Sequence, residues 1–168
     1  MTLSAFTYAH VRSPQEREVR RTASPPQRWC NPTPRRTMRI MAQENVNENV
    51  VKRLIACIND RHVEVMDELF HDDAVMHWPQ SGEIVRGAEN RRGIYNAFPQ
   101  LPTITPRRLL SGGNLVVAEA SLDYGGPTYE TVFIFEFRDG RIAKETAYWS
   151  ESFQAPQWRS EWVEISGP

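Results

Sequence analysis

Apolar and polar residues alternate most regularly over residues 133–149, which read FIFEFRDGRIAKETAYW. Phe133, Phe135 and Phe137 occupy alternate positions, so in a β-strand their side chains lie on one face. The Asp139-Gly140 pair after them is typical of a tight two-residue turn. The pattern therefore predicts a β-hairpin whose first arm has an apolar face.

The second arm of this hairpin begins at Arg141. Alternation places Glu145, Ala147 and Trp149 on one face of it. The apolar face of the first arm must be buried against other apolar groups. It belongs either to a filled core or to the wall of a ligand cavity, and the functional interpretation depends on which.

Helical periodicity precedes these strands. Apolar residues recur at steps of three and four from Glu44 to a stop at Asn59-Asp60, which predicts a first helix. A second short helix ends before His71, and a third opens at Gly87 and ends at Pro99. The apolar positions of the three helices are Val46, Val50, Leu54, Ile55 and Ile58, then Val63, Met66, Leu69 and Phe70, then Ile94, Tyr95 and Phe98.

Four further strands are predicted between Pro, Gly and Asn turn signals, at residues 74–78, 83–86, 104–110 and 115–122. Because helices come first and antiparallel strands later, the predicted class is α+β, with three helices packed on one face of a curved, cone-shaped antiparallel sheet. Beyond it we expect a tail that folds back onto the body through Phe153, Trp158, Trp162 and Val163, with one helical turn.

Residues 1–43 differ from the rest of the chain. They hold five prolines and eight arginines but only two acidic residues, and they lack apolar periodicity. Such a segment is either a targeting peptide or basic arm, or a disordered tail upstream of a start at Met38 or Met41; we favour the second interpretation. The folded domain is expected over residues 44–165.

Composition and charge exclude several classes of protein. The formal net charge of −1 gives no basic surface for nucleic acid, and no apolar run approaches the roughly 18 to 20 residues that span a bilayer. Cys30 and Cys57 lie in unrelated segments, which predicts neither a disulfide framework nor a zinc site. We expect a soluble cytoplasmic protein without a metal or other cofactor.

Several short strings and single residues stand in a fixed order along the chain: Ile58-Asn59-Asp60, residues 69–75 (LFHDDAV), Gly87, Tyr95, residues 139–142 (DGRI) and residues 147–151 (AYWSE). These strings and the order of elements resemble the SnoaL-like polyketide cyclases, a branch of the nuclear transport factor 2-like superfamily that is related to ketosteroid isomerases. The resemblance implies a conical α+β barrel with a deep pocket between sheet and helices, commonly as a homodimer. It implies no particular chemistry, because this fold supports many functions.

The best-known chemistries of these relatives do not carry over. Ketosteroid isomerases use a tyrosine, an aspartate base and a protonated aspartate, where this chain has Leu54, Trp78 and Phe133. Limonene epoxide hydrolases use an Asp-Arg-Asp relay. Here Ala147 stands at the position of one Asp, and the other two groups fall near residues 120 and 122, which are Ala and Leu.

A mostly aromatic pocket follows from the resemblance. It suits a flat or cyclic hydrophobic ligand, although the same side chains would also fill the cone if no cavity exists. The expected pocket residues are Leu54, Trp78, Tyr95, Phe98, Phe133, Phe135 and Trp149. Tyr129 is added as a hydroxyl donor to a ligand carbonyl, a role also open to Tyr95.

Glu145 and His77 are the candidate catalytic residues. In an apolar cleft the pKa of Glu145 rises by desolvation, as a general acid or base at neutral pH requires; the alternative is a surface glutamate paired with an arginine. A histidine in a cleft is a possible base, but alternation with Trp78 turns His77 away from the pocket and favours a structural role. The pairs Arg91-Arg92 and Arg107-Arg108 are expected to be solvated surface.

Three functions remain open from the sequence. The first is binding of a small hydrophobic, cyclic or polyketide-like ligand, with cofactor-independent cyclisation, isomerisation or dehydration through Glu145. The second is a carrier or sensor without catalysis. The third is a structural dimerisation module that uses Ile134, Glu136 and Tyr148 on the outer face of the sheet.

Overall fold

The computed structural model describes the backbone of residues 34–166 and the side chains of residues 46–166. The helices are α1 (Pro34–Asn59), α2 (Met66–Leu69) and α3 (Gly87–Ala97), with short 3-10 turns at Val63–Val65 and Gln157–Trp162. The strands are β1 (Phe70–Trp78), β2 (Glu83–Arg86), β3 (Thr103–Gly112), β4 (Leu115–Asp123), β5 (Thr128–Arg138) and β6 (Arg141–Glu151). The α+β class is confirmed. None of the described helices is long and apolar enough to cross a membrane.

The six strands form one curved, unclosed sheet in the order β2-β1-β6-β5-β4-β3. Four neighbouring pairs are antiparallel as expected, but β1 and β6 run parallel. This differs from a wholly antiparallel sheet because β6 returns beside β1 only after the chain has crossed to the opposite edge and come back. The parallel pair brings the end of β1 next to the end of β6.

Helix α1 packs on the inner face of the sheet. Its buried apolar side chains are Val51, Leu54, Ile55 and Ile58. At its end the Asn59 side chain donates to the Ile104 carbonyl at 2.9 Å and accepts from the Ile104 amide at 2.7 Å, which ties the helix to β3. The helix begins ten residues before the predicted Glu44, so residues 34–43 of the expected tail are helical backbone. Residues 1–33 of that tail, with Cys30, lie outside the described residues.

The predicted hairpin is formed by β5 and β6. Asp139 and Gly140 both have positive φ angles, 49° and 77°, as a tight hairpin turn with the twist of its strands requires. Phe135 and Phe137 are buried as predicted, and a register shift between Glu136 and Phe137 bends the strand. The inner face of this hairpin forms one wall of the space beneath the helices.

The segment after β6 forms a helical turn at Gln157–Trp162, as expected. The prediction that it folds back onto the body is wrong, because Phe153, Trp158 and Trp162 are 76%, 75% and 75% exposed. Polar and charged residues separate the apolar ones in this segment. The turn therefore has no continuous apolar face with which to pack against the body.

Candidate functional site

A cavity of about 190 Å³ lies between the inner face of the sheet and helices α1 and α3. An engineered apolar cavity of about 150 Å³ holds a benzene molecule, so this space accommodates a small ring. Its walls are mainly aliphatic and aromatic. Seven of the eight expected pocket residues line it: Leu54, Trp78, Tyr95, Phe98, Phe133, Phe135 and Trp149.

Tyr129, the eighth expected residue, does not line this cavity. Its hydroxyl donates a hydrogen bond to the Glu151 carboxylate at 2.9 Å. Its ring meets Tyr124 edge-on, with ring centroids 5.6 Å apart, and Tyr124 is the tyrosine of this pair that lines the cavity. Tyr129 therefore lies beside Tyr124 and outside the cavity lining, with its hydroxyl already engaged.

Glu145 is the buried carboxyl group of the cavity. It lies on β6 opposite Phe135 and is only 3% exposed, so it is not the surface glutamate of the alternative interpretation. Glu145 makes no hydrogen bond or ion pair with any of the described side chains, those of residues 46–166. Burial raises the pKa of Glu145 from 4.5 to about 7, and the positive charge of Arg91 opposes that rise. Near neutral pH this carboxyl group is therefore able to give or take a proton.

Tyr95 supplies a phenol group to the same cavity from helix α3. Burial, and after it the negative charge of Glu145, raise the pKa of Tyr95 well above its usual value. The phenol consequently keeps its proton at physiological pH. A group that stays protonated and faces a cavity is suited to donate a hydrogen bond to a ligand oxygen.

Arg91 was expected on the surface, and that prediction is wrong. Its side chain is 2% exposed, Nη2 donates to Asp67 Oδ1 at 2.8 Å, and the guanidinium lies 4.7 Å from the ring centre of Phe70. Arg92 binds the other oxygen of Asp67 at 2.7 Å and is exposed, as expected. The sequence contains no local signal for the burial of Arg91, because its carboxylate partner lies 24 residues earlier.

The SnoaL-like domain profile matches residues 51–145, more than half of the 168-residue chain. This chain belongs to the SnoaL-like family. An NTF2-like protein of unknown function from Burkholderia xenovorans is similar over 74% of this chain and 98% of its own, with 33% identity and a TM-score of 0.67. No curated protein matches the sequence.

More distant solved structures share the SnoaL-like fold. A proposed ketosteroid isomerase from Kribbella flavida is 22% identical over 75% of this chain and 93% of its own, with a TM-score of 0.70. An epoxide hydrolase from M. tuberculosis is 19% identical over 64% and 85%, with a TM-score of 0.55. At these identities the likeness concerns the fold alone.

The strand register of this SnoaL-like domain shows where Ala120, Leu122 and Ala147 lie. On β4, Ala120 pairs with Thr131 and Leu122 pairs with Tyr129, and both β4 residues are buried on the inner face. Ala147 is also buried and lines the cavity. No charged side chain therefore occupies these three inner positions.

His77 does not line the cavity. It is half-buried on β1, between Ile84 of β2 and Thr146 of β6, on the sheet face opposite to Trp78. The structure does not bring it together with Glu145. His77 lies on the outer face of the sheet, as the alternation of side chains predicted.

Sequence reasoning missed Glu83, a second carboxylate of the cavity lining. It is exposed on β2 directly opposite Trp78, and it accepts a hydrogen bond from the Ser81 hydroxyl. The sequence did contain a signal for Glu83, because the turn at Ser81-Gly82 pairs the end of β1 with the start of β2. Residues paired across an antiparallel ladder project to the same face, which places Glu83 with Trp78 at the cavity mouth.

Proposed function

We propose that this protein binds a small hydrophobic, cyclic or polyketide-like molecule in the cavity. Glu145 then acts on it as a general acid or base, in a cyclisation, isomerisation or dehydration that needs no cofactor. The observation that carries this proposal is the state of the Glu145 carboxyl group. Its pKa is raised to about 7, it lies in a largely apolar space, and no described side chain (residues 46–166) donates a hydrogen bond to it. A general acid or base works best when its pKa lies near the working pH.

The protein groups suggest a division of roles. Glu145 takes a proton from a carbon next to a carbonyl group of the ligand, or returns one to it. Tyr95, which keeps its proton, donates a hydrogen bond to the carbonyl oxygen where negative charge develops. The aromatic walls, including Phe133 and Phe135 stacked with ring centroids 5.9 Å apart, hold a flat ring and exclude water.

Filling the cavity tests ligand binding. Ala147 lines the cavity and is 1% exposed, so Ala147→Phe puts a ring where the ligand ring is expected. We expect about tenfold weaker binding of polycyclic aromatic ketones, measured by quenching of tryptophan fluorescence, since lost apolar contact of about 1.4 kcal/mol is a factor of ten.

The matched control for this test is Ala97→Phe, which adds the same ring at an exposed position at the end of α3. It should bind like the wild type. Equal affinities for all three proteins would show that the ketones bind elsewhere, and the absence of binding to the wild type would contradict the proposed ligand class.

A carrier without catalysis is the second candidate. It is favoured by the inner positions Ala120, Leu122 and Ala147, where epoxide hydrolases are expected to have charged groups. A carrier retains its ligand chemically unchanged, whereas the enzyme converts it. Mass spectrometry of the ligand before and after incubation with the protein separates the two.

We also propose a cytoplasmic homodimer that joins through the outer face of the sheet. The buried free thiol of Cys57 suits a reducing compartment. Val132 and Tyr148 pair with each other on that outer face and are 38% and 44% exposed, so a second copy would remove apolar area from water. Ile134 and Glu136 belong to the same face of β5.

Introducing a charge at this face tests the dimer. Tyr148→Glu should weaken association about tenfold, because an unpaired carboxylate would be buried in the interface. Asn90→Glu, which places the same charge on exposed α3, is the control. Light scattering across a dilution series gives the mass of each protein, and an unaltered dimer in Tyr148→Glu would contradict this interface.

A further inference from the structure

The mouth of the cavity combines negative charge with aromatic rings. Trp78 and Trp149 meet edge-to-face there, with ring centroids 6.0 Å apart and planes at 75°, and both are half-buried. Glu83 faces Trp78 across the β1–β2 ladder and also lines the cavity. The electron-rich faces of two indoles and a carboxylate are the groups that attract an organic cation.

Among the described side chains, no lysine or arginine contributes to this cavity lining, in which Glu83 and Glu145 are the charged residues. With the described side chains, Glu83 makes no ion pair and accepts a single hydrogen bond, from the neutral Ser81 hydroxyl. This differs from three other acids of the sheet. Glu119, Glu130 and Glu136 each pair with an arginine or lysine.

The tryptophans are held in place by the protein itself. The side chain of Gln80, in the β1–β2 turn, donates to the Trp149 carbonyl and accepts from the Trp149 amide at 3.3 Å. This pair of bonds links the turn that presents Glu83 to the end of β6. The carboxylate and both rings are therefore arranged before any ligand arrives.

A further carboxylate extends the same face. Glu151 lies two residues beyond Trp149 on β6, opposite Tyr129, whose hydroxyl binds it at 2.9 Å. It also makes no ion pair with the described side chains. The rim therefore carries two carboxylates whose charge no described basic side chain neutralises.

We propose that this rim, defined as Trp78, Glu83, Trp149 and Glu151, binds a protonated amino group of the ligand, so that the preferred ligands are cyclic hydrophobic amines. The ring enters the apolar cavity and the ammonium group remains at the mouth. There it contacts water, the Glu83 carboxylate and the indole faces. This inference rests on the proposed function, since it names the ligand class of the same cavity.

Three naphthalene probes of matched shape test the inference: 2-naphthylmethylammonium, neutral 2-naphthylmethanol and anionic 2-naphthoate. We expect the ammonium probe to bind the wild type about fivefold more tightly than the alcohol, and the carboxylate least tightly, by titration calorimetry at neutral pH. Glu83→Gln should bring the ammonium and alcohol affinities close together. High salt should reduce the preference, because the rim is exposed to solvent.

Two variants identify the carboxylate responsible. Glu89→Gln removes an exposed acid of α3 that does not line the cavity, and it should leave the preference at its wild-type value. Glu145→Gln should also keep the preference for the ammonium probe over the alcohol, because the ammonium group is expected to stay at the mouth of the cavity. A preference lost in Glu145→Gln but kept in Glu83→Gln would overturn the inference.

The remaining outcomes separate this inference from the proposed function. Equal binding of the alcohol and ammonium probes to the wild type would contradict amine selectivity while leaving the ligand cavity intact. If none of the three probes bound the wild type while aromatic ketones did, amine selectivity would again be contradicted. If no aromatic compound of either set bound, the cavity would not be a ligand site, and both proposals would fail.

Discussion

Glu145→Gln stabilises the protein at alkaline pH. Each unit by which the pKa of a group shifts on folding corresponds to about 1.4 kcal/mol. The pKa of Glu145 rises from 4.5 to about 7 in the folded protein. Ionising this buried carboxyl therefore costs the wild type on the order of 3 kcal/mol, and an amide cannot ionise. Between about pH 4 and about pH 8, we expect the free energy of unfolding of the variant to increase by that amount relative to that of the wild type.

The sign follows from proton uptake. Between the two pKa values the folded protein binds more protons at Glu145 than the unfolded chain does, so stability falls as the pH rises. The contribution of protonated Glu145 to the free energy of unfolding is fully present below pH 4.5 and is lost as the pH passes through about 7. Urea unfolding at a series of pH values measures the difference, and other titrating groups cancel between the two proteins.

Glu89→Gln is the control for this pH series. Glu89 is exposed on α3, away from the cavity lining and from the proposed dimer face. The unfolding free energy of this variant should therefore follow that of the wild type. Parallel curves for Glu145→Gln and the wild type would mean that Glu145 titrates as an ordinary glutamate.

The same substitution abolishes most of the turnover if Glu145 moves the proton. A positioned acid or base contributes roughly 10² to 10⁴ in rate, so we expect Glu145→Gln to lower kcat at least a hundredfold. Binding should change little, because an amide has nearly the shape of a carboxyl group. The assay follows exchange of the ligand's α-protons for deuterium by NMR, using a ligand that the wild type binds.

The pH dependence of this reaction provides a second readout. With Glu145 as base, kcat/KM should rise as the pH passes through about 7, and with Glu145 as acid it should fall there. Glu89→Gln, which changes an exposed acid outside the cavity lining, should retain the rate of the wild type. A fully active Glu145→Gln protein would remove Glu145 from the mechanism, whereas a wild-type protein that leaves its bound ligand unchanged would favour the carrier.

Local patterns predicted the parts of the fold that depend on neighbouring residues. The Asp139-Gly140 turn and the shared face of Glu145, Ala147 and Trp149 follow from alternation and turn chemistry alone, and the structure contains both. The register of β4 could not be predicted. It depends on pairing with β5, which the apolar pattern of residues 115–122 does not specify by itself.

Long-range pairing explains what the sequence did not reveal about the site. Arg91 is buried because Asp67 and Phe70, on other elements, accept its charge and cover it. Tyr129 has a suitable hydroxyl but lies opposite Glu151, which engages it. Such contacts join residues that are more than 20 positions apart, so no periodicity in the sequence records them.

The most direct test of the proposed proton transfer is the titration of Glu145 itself. Glutamate labelled with ¹³C at Cδ gives a signal for this residue, which is assigned by its absence in Glu145→Gln. We expect a midpoint at about 7 in the folded protein. A midpoint near the ordinary value of 4.5 would contradict this expectation, because Glu145 would then be ionised at neutral pH and unsuited to the proposed proton transfer.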